Sequence, residues 1–281
     1  MRVLMFGWEF PPHISGGLGT ACYGLTKGMS TIPGLDVLFV VPKAYGNEDM
    51  NVVNLIGANN VSLSDKTIDY QILLEKIKLL EVKSNLVPYA SPEEYEKLQE
   101  IQHDREQVFI NTAFKGKIDF EGGYGNNLFQ EIANYAIVAS FISRDYNFDI
   151  IHAHDWLTYP AGIAAKKVSG KKLIVHVHAT DFDRSGGNVN PGVFSIEREG
   201  MMAADLVIAV SNLTRDTIIN KYHIDPAKVV TVYNAVEPLT EIEKYKIKKG
   251  FNEKVVTFLG RITMQKGPEY YIEAAYKELQ K

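Results

Sequence analysis

Short apolar runs rich in β-branched residues alternate along residues 1–236 with stretches in which apolar positions recur at helical spacing. Alternation of this kind is typical of a parallel sheet that helices cover on both faces. The pattern therefore predicts an α/β domain built on a doubly wound parallel sheet. The predicted strands span residues 2–9, 36–43, 149–155, 172–179, 206–211 and 229–235, and the predicted helices span residues 18–30, 127–144, 159–168, 192–204 and 212–222.

Residues 44–125 interrupt this alternation with a long insertion. Strand-like pieces at residues 52–56, 67–74 and 77–81 precede a charged stretch with helical spacing near residues 92–107. An insertion of this length usually decorates one rim of a doubly wound sheet, where it either shapes a binding site or only stabilises the domain. The sequence leaves both interpretations open.

The C-terminal part of the chain predicts the beginning of a second sheet. Residues 237–254 are polar, contain Pro238 and a basic run, and are typical of a linker. Residues 255–261 then show a buried-strand pattern, and residues 268–280 show a helical one. Since residues 255–281 are far fewer than the roughly 100 that a domain needs, we expect a truncated second domain. Its lone strand is expected to pack on the first domain or on a neighbouring copy, which would form a homodimer.

Composition excludes several classes of function. The net charge of -4 disfavours nucleic acid as a partner, and no polybasic patch indicates a membrane surface. No apolar run approaches the roughly 18 residues that a membrane span requires. The single cysteine, Cys22, cannot form an internal disulfide, which favours a reducing compartment. We therefore expect a cytoplasmic globular protein with 46% hydrophobic residues available for its core.

A glycine-rich turn joins the first predicted strand to the first predicted helix. Gly16, Gly17 and Gly19 allow a tight turn there, and the free N–H groups of the helix start could face a phosphate. The turn is not a P-loop, because no Gly-Lys-Ser/Thr sequence follows. It is not the dinucleotide fingerprint either, because Cys22 stands where a third small residue belongs. Glycine pairs also occur in strand-to-helix turns for geometry alone.

Four of the seven histidines cluster at the ends of two predicted strands. His152 and His154 share one face of their strand, and His176 and His178 end another in the same way. A His-x-His pair followed by Asp155 also occurs in metal-dependent hydrolases. That alternative would need a further Asp-His step where Trp156-Leu157 stands, so contact with a substrate or a structural role is favoured over a metal.

Two cations flank the start of the last predicted helix. Arg261 follows the predicted strand, and Lys266 comes five residues later, just before the helix. A planar guanidinium, an ammonium group and helix N–H groups in one place suit a diphosphate. Taken alone, two solvated surface cations would explain the pattern equally well.

Together these segments resemble the retaining glycosyltransferases of the GT-B fold, specifically the glycogen and starch synthase group and its close relatives. The matching segments follow the family's order over nearly the whole chain. They are residues 9–12 with Gly16-Gly17-Leu18-Gly19, His154-Asp155-Trp156, residues 178–187, residues 196–211, Tyr233-Asn234-Ala235-Val236, and Gly260-Arg261 with Lys266-Gly267.

The resemblance implies a fold and a reaction. It implies two Rossmann-like domains that face each other across a cleft, the first on the acceptor side and the second binding the donor. The implied reaction transfers glucose from ADP-glucose or UDP-glucose to the end of an α-glucan, with no cofactor and no metal. In this family the second domain also supplies a carboxylate pair and a nucleoside pocket, which the present sequence does not contain. We therefore expect this chain alone not to turn over.

The resemblance also implies site residues. Gly16, Gly17 and Gly19 would contact the donor phosphates, and His154 the donor sugar. Arg261 and Lys266 would neutralise the leaving diphosphate, which makes these two and His154 the predicted catalytic residues. The further predicted substrate contacts are Glu9, Asp155, Trp156, His178 and Asp181. Ser15 stands where the synthases have a Lys-Thr pair, so the chain is more similar to shorter, synthase-like relatives.

Three alternatives stay open. A GT-B transferase could act on a small or lipid-linked sugar acceptor, and exposed aromatic side chains in the insertion would favour a glucan instead. A metal-dependent hydrolase would use the two His-x-His pairs and would purify with bound zinc. A non-catalytic carbohydrate-binding module would bind maltooligosaccharides without turnover.

Overall fold

The computed structural model describes residues 1–63, 116–125, 127–236, 250 and 252–280. Within them, seven parallel strands form one sheet in the order β3-β2-β1-β4-β5-β6-β7. The strands are β1 (Arg2–Phe6), β2 (Asp36–Val41), β3 (Asn54–Gly57), β4 (Ile150–His154), β5 (Lys172–Val177), β6 (Leu206–Ala209) and β7 (Val229–Thr231). The prediction of a doubly wound parallel sheet is therefore confirmed.

Helices connect the strands in the described part of the chain. They are α1 (Gly17–Ser30), α2 (Leu128–Asp145), α3 (Tyr159–Ser169), α4 (Asp181–Ser185), α5 (Pro191–Ala203), α6 (Asn212–Tyr222) and α7 (Pro268–Leu279). All except the short α4 correspond to predicted helices. The N-terminus of α4 is fixed by a capping box between Thr180 and Asp183, a local signal that the sequence does carry.

The sheet separates two apolar layers. Ile151 and Ala153 of β4 belong to the larger core, to which α2, α3 and α5 contribute. Val3 and Met5 of β1 belong to a smaller core with α1, on the opposite face. Because strand side chains alternate, His152 and His154 point away from the larger core and toward the α1 side.

Two helical glycines provide a test of this packing. A methyl group at Gly200 of α5 would lie 2.3 Å from Cδ2 of Tyr159, whereas one at Gly24 of α1 would meet nothing within 4 Å. We expect Gly200→Ala to lower the free energy of unfolding by about 1–3 kcal/mol through overpacking. Gly24→Ala should raise it by about 0.5–1 kcal/mol through helix propensity. Urea denaturation measures both, and equal effects of the two substitutions would contradict the described α3–α5 contact.

The order of the strands places a crevice beside β1. The chain runs from β1 outward to β2 and β3, and then returns to the other side of β1 with β4. Phe6 at the end of β1 pairs with Ala153 near the end of β4. Open α/β sheets bind ligands outside the carboxyl ends of their strands, at the point where the strand order reverses. The glycine turn after β1 and His154 at the end of β4 lie at this point.

The prediction of a strand over residues 255–261 is wrong. Residues 254–259 have no regular secondary structure, and Leu259 is 97% exposed. An apolar run becomes a strand only when another strand supplies hydrogen bonds, and no described strand pairs with this one. The segment does reach the first domain, because the 3₁₀ turn Met264–Lys266 packs against α4.

Several other predictions for the insertion and the C-terminal part are not settled by the structure. The predicted strand at residues 52–56 is observed two residues later as β3. The pieces at residues 67–74, 77–81 and 92–107, and most of the linker at 237–254, lie outside the described residues. The division into domains and the homodimer stay predictions.

No helix among the described residues combines the length and apolar character needed to cross a membrane.

Candidate functional site

The loop between β1 and α1 is held by contacts within itself. The Glu9 carboxylate accepts the backbone N–H of Ser15 at 3.2 Å and also the Ser15 hydroxyl. A methyl group at Gly19 would lie 2.6 Å from Cγ2 of Ile14 and 3.2 Å from Cβ of Glu9. Gly19 is therefore required by close packing in the loop, and Glu9 fixes its shape. Their predicted contacts with a substrate stay predictions.

The N-terminus of α1 is unobstructed at Gly17. Gly16 is its N-cap residue in extended conformation, and the first turn contains no acidic side chain. A methyl group on Gly17 would meet nothing within 4 Å. The first amides of a helix have no partner within the helix and carry its positive end. This end of α1 can therefore receive an anion.

The guanidinium of Arg261 lies over this helix end. A methyl group on Gly16 would be 3.6 Å from Nη2 and 3.8 Å from Cζ of Arg261. The structure thus brings together the glycine turn and Arg261, which are far apart in sequence. Lys266 is exposed at the end of the 3₁₀ turn that packs on α4, so both cations belong to the same segment beside the sheet edge.

The four histidines form one cluster on the α1 side of β4 and β5. Nδ1 of His154 lies 3.0 Å from Nε2 of His178. The rings of His152 and His176 are parallel, with centroids 5.5 Å apart, and the rings of His176 and His178 stack at 4.4 Å. Nε2 of His154 and Nε2 of His152 are buried and have no hydrogen-bond partner among the described groups.

Burial keeps these imidazoles uncharged. Desolvation lowers the pKa of His152 and His176 to about 3 and that of His178 to about 4. The pKa of His154 is also well below its ordinary value, because of burial first and then of its histidine neighbours. At neutral pH the cluster therefore offers neutral hydrogen-bonding nitrogens and no positive charge.

Cys22 connects the histidine cluster to α1. Its sulfur and ring nitrogens of His154 and His178 all lie within 4.8 Å of one another. Burial raises the pKa of the Cys22 thiol, with Asp155 and Glu9 adding to the effect, so the sulfur stays protonated. Because Cys22 is on α1, the glycine turn and the end of β4 lie on the same side of the sheet. This arrangement is required of any crevice between Gly17 and His154.

Three of the clustered histidines have nitrogens close enough together to suggest a metal site. Donor atoms of His152, His154 and His176 lie within 4.8 Å of one another. Each lone pair lies in its ring plane, and the stacked rings of His152 and His176 lie in two nearly parallel planes, so their lone pairs do not converge on one point between the rings. Zinc holds imidazole nitrogens at about 2.0–2.1 Å around a tetrahedron. The described rings would have to rotate to form such a site.

Asp155 has a structural role in the loop after β4. Its backbone is in the left-handed region, with φ of 58°. Its carboxylate accepts the N–H of His178 at 2.7 Å and so joins the ends of β4 and β5. Burial raises the pKa of Asp155 to about 6, against the effect of the Arg184 charge. Trp156 is fully buried next to Phe129, and the predicted substrate contacts of both residues stay predictions.

A buried ionic network next to the turn between β5 and α4 is not predicted by the sequence. Arg184 of α4 and Glu197 of α5 form an ion pair at 2.7 Å, with both side chains only 3% exposed. The Tyr222 hydroxyl donates to Glu197, and Asp181, a predicted substrate contact, accepts the N–H of Asn190 at 2.6 Å. The only signal in the sequence is a glutamate at an otherwise apolar position of α5, whose partner lies 13 residues away.

A comparison with protein families matches residues 117–238 to the model of Glycosyltransferase Family 4. This match includes β4 to β7 and all four clustered histidines. The part of the chain from β4 to β7 is therefore similar to this glycosyltransferase family.

Curated relatives extend this similarity. An uncharacterised glycosyltransferase of Methanocaldococcus jannaschii is 23% identical over 100% of this chain and 60% of its own length. The alpha-maltose-1-phosphate synthase of Mycolicibacterium smegmatis is 29% identical over 46% of this chain and 37% of its own length. The D-inositol 3-phosphate glycosyltransferase of Gordonia bronchialis is 31% identical over 46% of this chain and 31% of its own length. The chain thus spans only part of each of these relatives.

A solved structure shares the fold. Sucrose-phosphate synthase from Thermosynechococcus elongatus superposes with a TM-score of 0.51 at 10% identity, over 83% of this chain and 47% of that one. The seven-stranded domain has the Rossmann-like fold of GT-B structures, which confirms the predicted fold class, and the second domain stays a prediction. The glycogen and starch synthase group is not specifically indicated by these comparisons.

Proposed function

We propose that this chain forms the acceptor-side lobe, and part of the diphosphate site, of a retaining glycosyltransferase that uses a nucleoside diphosphate glucose. One observation carries the proposal. At the point where the strand order reverses, the guanidinium of Arg261 lies over the N-terminus of α1. A methyl carbon placed on Gly16, the N-cap residue, would be 3.6 Å from Nη2 of Arg261. A positive helix end and a planar cation form a suitable pair of contacts for a diphosphate.

The chemistry follows from the charges of the transition state. Departure of the diphosphate from the sugar places positive charge on the anomeric carbon and negative charge on the phosphate oxygens. The Gly17 amide, Arg261 and Lys266 would stabilise the negative charge more in the transition state than in the ground state. His154 would contact the sugar through Nε2, which has no described hydrogen-bond partner. Because His154 is fully buried, this contact requires the side chains that cover the nitrogen to move aside when the donor binds. Since this imidazole is neutral, it would donate or accept a hydrogen bond without repelling the positive carbon.

We propose the end of an α-glucan as the acceptor, as in the glycogen and starch synthase group. An exposed aromatic side chain supports this choice. Tyr45 is half exposed, stacks on His13 with ring centroids 4.0 Å apart, and lies at the rim where the insertion begins. Aromatic rings of this kind pack against the apolar faces of sugars.

A second candidate acceptor is small and phosphorylated. Two of the relatives have names that specify a phosphorylated sugar or inositol. Lys43 supports this candidate, because its ammonium group lies 5.1 Å from the centre of the Tyr45 ring and could pair with an acceptor phosphate.

An NMR titration of the chain tests the proposed function. We expect UDP-glucose or ADP-glucose to perturb the amide of Gly17 and the side chain of Arg261. Maltotetraose and glucose 1-phosphate, added separately, should distinguish the two acceptors by which of them perturbs Tyr45. If neither nucleotide sugar perturbs Gly17 or Arg261, the proposed diphosphate site is wrong.

The open space at Gly17 makes a specific prediction. Gly17→Val should lower the affinity for the nucleoside diphosphate glucose by about tenfold or more, because the new side chain stands where the phosphate would approach the amides. The fold should tolerate the change, since nothing lies within 4 Å of a methyl group there. Gly24→Val is the matched control, being equally unobstructed on the same helix. Equal affinities of the two variants would contradict the proposed role of the turn.

A further inference from the structure

Buried charged side chains of Asp155, Arg184 and Glu197 hold the turn of residues 178–181 between β5 and α4. We infer that the Arg184–Glu197 ion pair is a positioning device that fixes His178 and, through it, the ring of His154 at the sheet edge. The importance of this device for donor binding rests on the proposed function. Its effect on the histidine rings does not, and can be measured without a substrate.

Glu197 contacts three groups on two other helices. Its Oε1 pairs with Nη2 of Arg184 on α4 at 2.7 Å. Its Oε2 accepts the backbone N–H of Asp181 at 3.1 Å, and the hydroxyl of Tyr222 on α6 donates to the same oxygen. The carboxylate therefore joins α5 to the end of the turn and to α6.

Arg184 and Asp155 hold the rest of the turn. Nη1 of Arg184 donates to the carbonyl oxygen of Ala179 at 2.9 Å. Asp155 accepts the N–H of His178 at 2.7 Å. The turn is thus fixed at His178, Ala179 and Asp181 by groups that are themselves buried. Hydrogen bonds to charged groups are the stronger ones, so the backbone position here is well determined.

This position matters because of what the turn carries. His178 contacts Nδ1 of His154 through its own Nε2, at 3.0 Å. In neutral imidazoles one of these two nitrogens must donate and the other accept, so a displaced His178 changes the tautomer and orientation of His154. The helix that follows the turn, α4, is also the surface against which the 3₁₀ turn Met264–Lys266 packs. One ion pair thus supports both the histidine contact and the cation-bearing segment.

Stability alone does not explain the pair. Replacing a buried ion pair with apolar side chains is often neutral or stabilising, whereas its geometry can specify a unique arrangement. Another paired carboxylate, about a quarter exposed where Glu197 is buried, stands at the other end of the same strands. Asp205 accepts the N–H of Leu173 at 2.9 Å and pairs with Lys166 at 2.7 Å, far from the histidines. It is therefore a matched control.

The experiment compares Glu197→Gln with Asp205→Asn in the full chain. Nitrogen-15 spectra of the histidine rings report the tautomers of His154 and His178, and amide hydrogen exchange reports the turn. For Glu197→Gln we expect altered ring signals of both histidines and exchange at residues 178–181 faster by about tenfold or more. Asp205→Asn should leave these ring signals and these amides unchanged. Unaltered ring signals in Glu197→Gln, or equal changes in both variants, would overturn the proposal.

Two further variants keep the proposal testable if Glu197→Gln does not fold. Tyr222→Phe removes one hydrogen bond to Glu197 and leaves the ion pair, so it should shift the same ring signals by a smaller amount. Arg184→Lys keeps the charge but loses the fork that reaches both Glu197 and Ala179, so it should not restore the wild-type signals. Wild-type spectra from both variants would overturn the proposal. Affinity for UDP-glucose, measured in parallel, tells whether the positioning also serves donor binding. Weak binding by the wild type would count against the proposed function and not against the positioning.

Discussion

Replacing Arg261 with glutamine is expected to weaken the binding of UDP-glucose or ADP-glucose by about 10- to 100-fold. A charge-assisted hydrogen bond to a phosphate contributes about 1.5–3 kcal/mol, and glutamine keeps neither the charge nor the fork of the guanidinium. Arg261 lies over the open end of α1, where its loss leaves the helix amides as the main anion contact. Calorimetry or NMR titration of the chain measures the change.

Lys277→Gln is the control for this substitution. Lys277 is exposed on α7 and pairs with Glu273 at 2.6 Å, so its loss removes one positive charge without touching the crevice. We expect wild-type affinity from this variant at physiological ionic strength, where distant surface charges are largely screened. Equal losses in the two variants would mean that net charge, and not the position of Arg261, governs binding. In an assay that measures sugar transfer, Arg261→Gln should also lower the transfer rate by about 10²–10³-fold.

Acidification from pH 7 to pH 5 is expected to lower the free energy of unfolding, because the buried histidines resist protonation in the folded state. Folding lowers the pKa of His152 from 6.5 to about 3 and that of His178 from 6.5 to about 4. The folded state therefore resists protonation that the unfolded chain accepts, and stability is lost as the pH falls below about 6.5. Each such histidine should remove about 2 kcal/mol of unfolding free energy by pH 5.

Two carboxylic acids act in the opposite direction, so the histidine contribution must be measured by difference. Burial raises the pKa of Asp155 to about 6 and raises that of Glu197 against the opposing effect of Arg184, which stabilises the fold as the pH falls. Urea denaturation at pH 7.5 and pH 5 should show that His152→Gln reduces the acid loss by about 2 kcal/mol relative to the wild type. His223→Gln, at an exposed position, is the control for the histidine-to-glutamine exchange itself. The same pH dependence in all three proteins would contradict the buried neutral cluster.

The sheet could be predicted because each of its strands is recognisable in the sequence as a short apolar run. Strands covered on both faces are continuous apolar runs, as in the Leu38–Val41 part of β2, and parallel strands place the residues that follow them at one edge. The glycine turn and His154 could therefore be assigned to a common edge before any coordinates. Residues 255–261 show where this reasoning fails, because a strand also needs a partner that the run itself does not encode.

The remaining parts of the site depend on contacts between distant segments. Nothing in the sequence near Gly16 indicates that Arg261 lies over it. Arg184 and Glu197 form no recognisable local motif, and their pairing exists only because α4 and α5 pack together. Asp155 and Trp156 follow a strand, a position from which a side chain can face the crevice or turn inward. Both side chains are buried, and their contacts with a substrate stay predictions.

A crystal structure of the chain with ADP-glucose or UDP-glucose would decide whether a diphosphate binds between the start of α1 and Arg261. The diphosphate is predicted to accept hydrogen bonds from the amide of Gly17 and the guanidinium of Arg261, with the sugar directed toward Nε2 of His154. A diphosphate bound away from the start of α1, or touching only one of these two groups, would contradict the assignment of this crevice as the donor site.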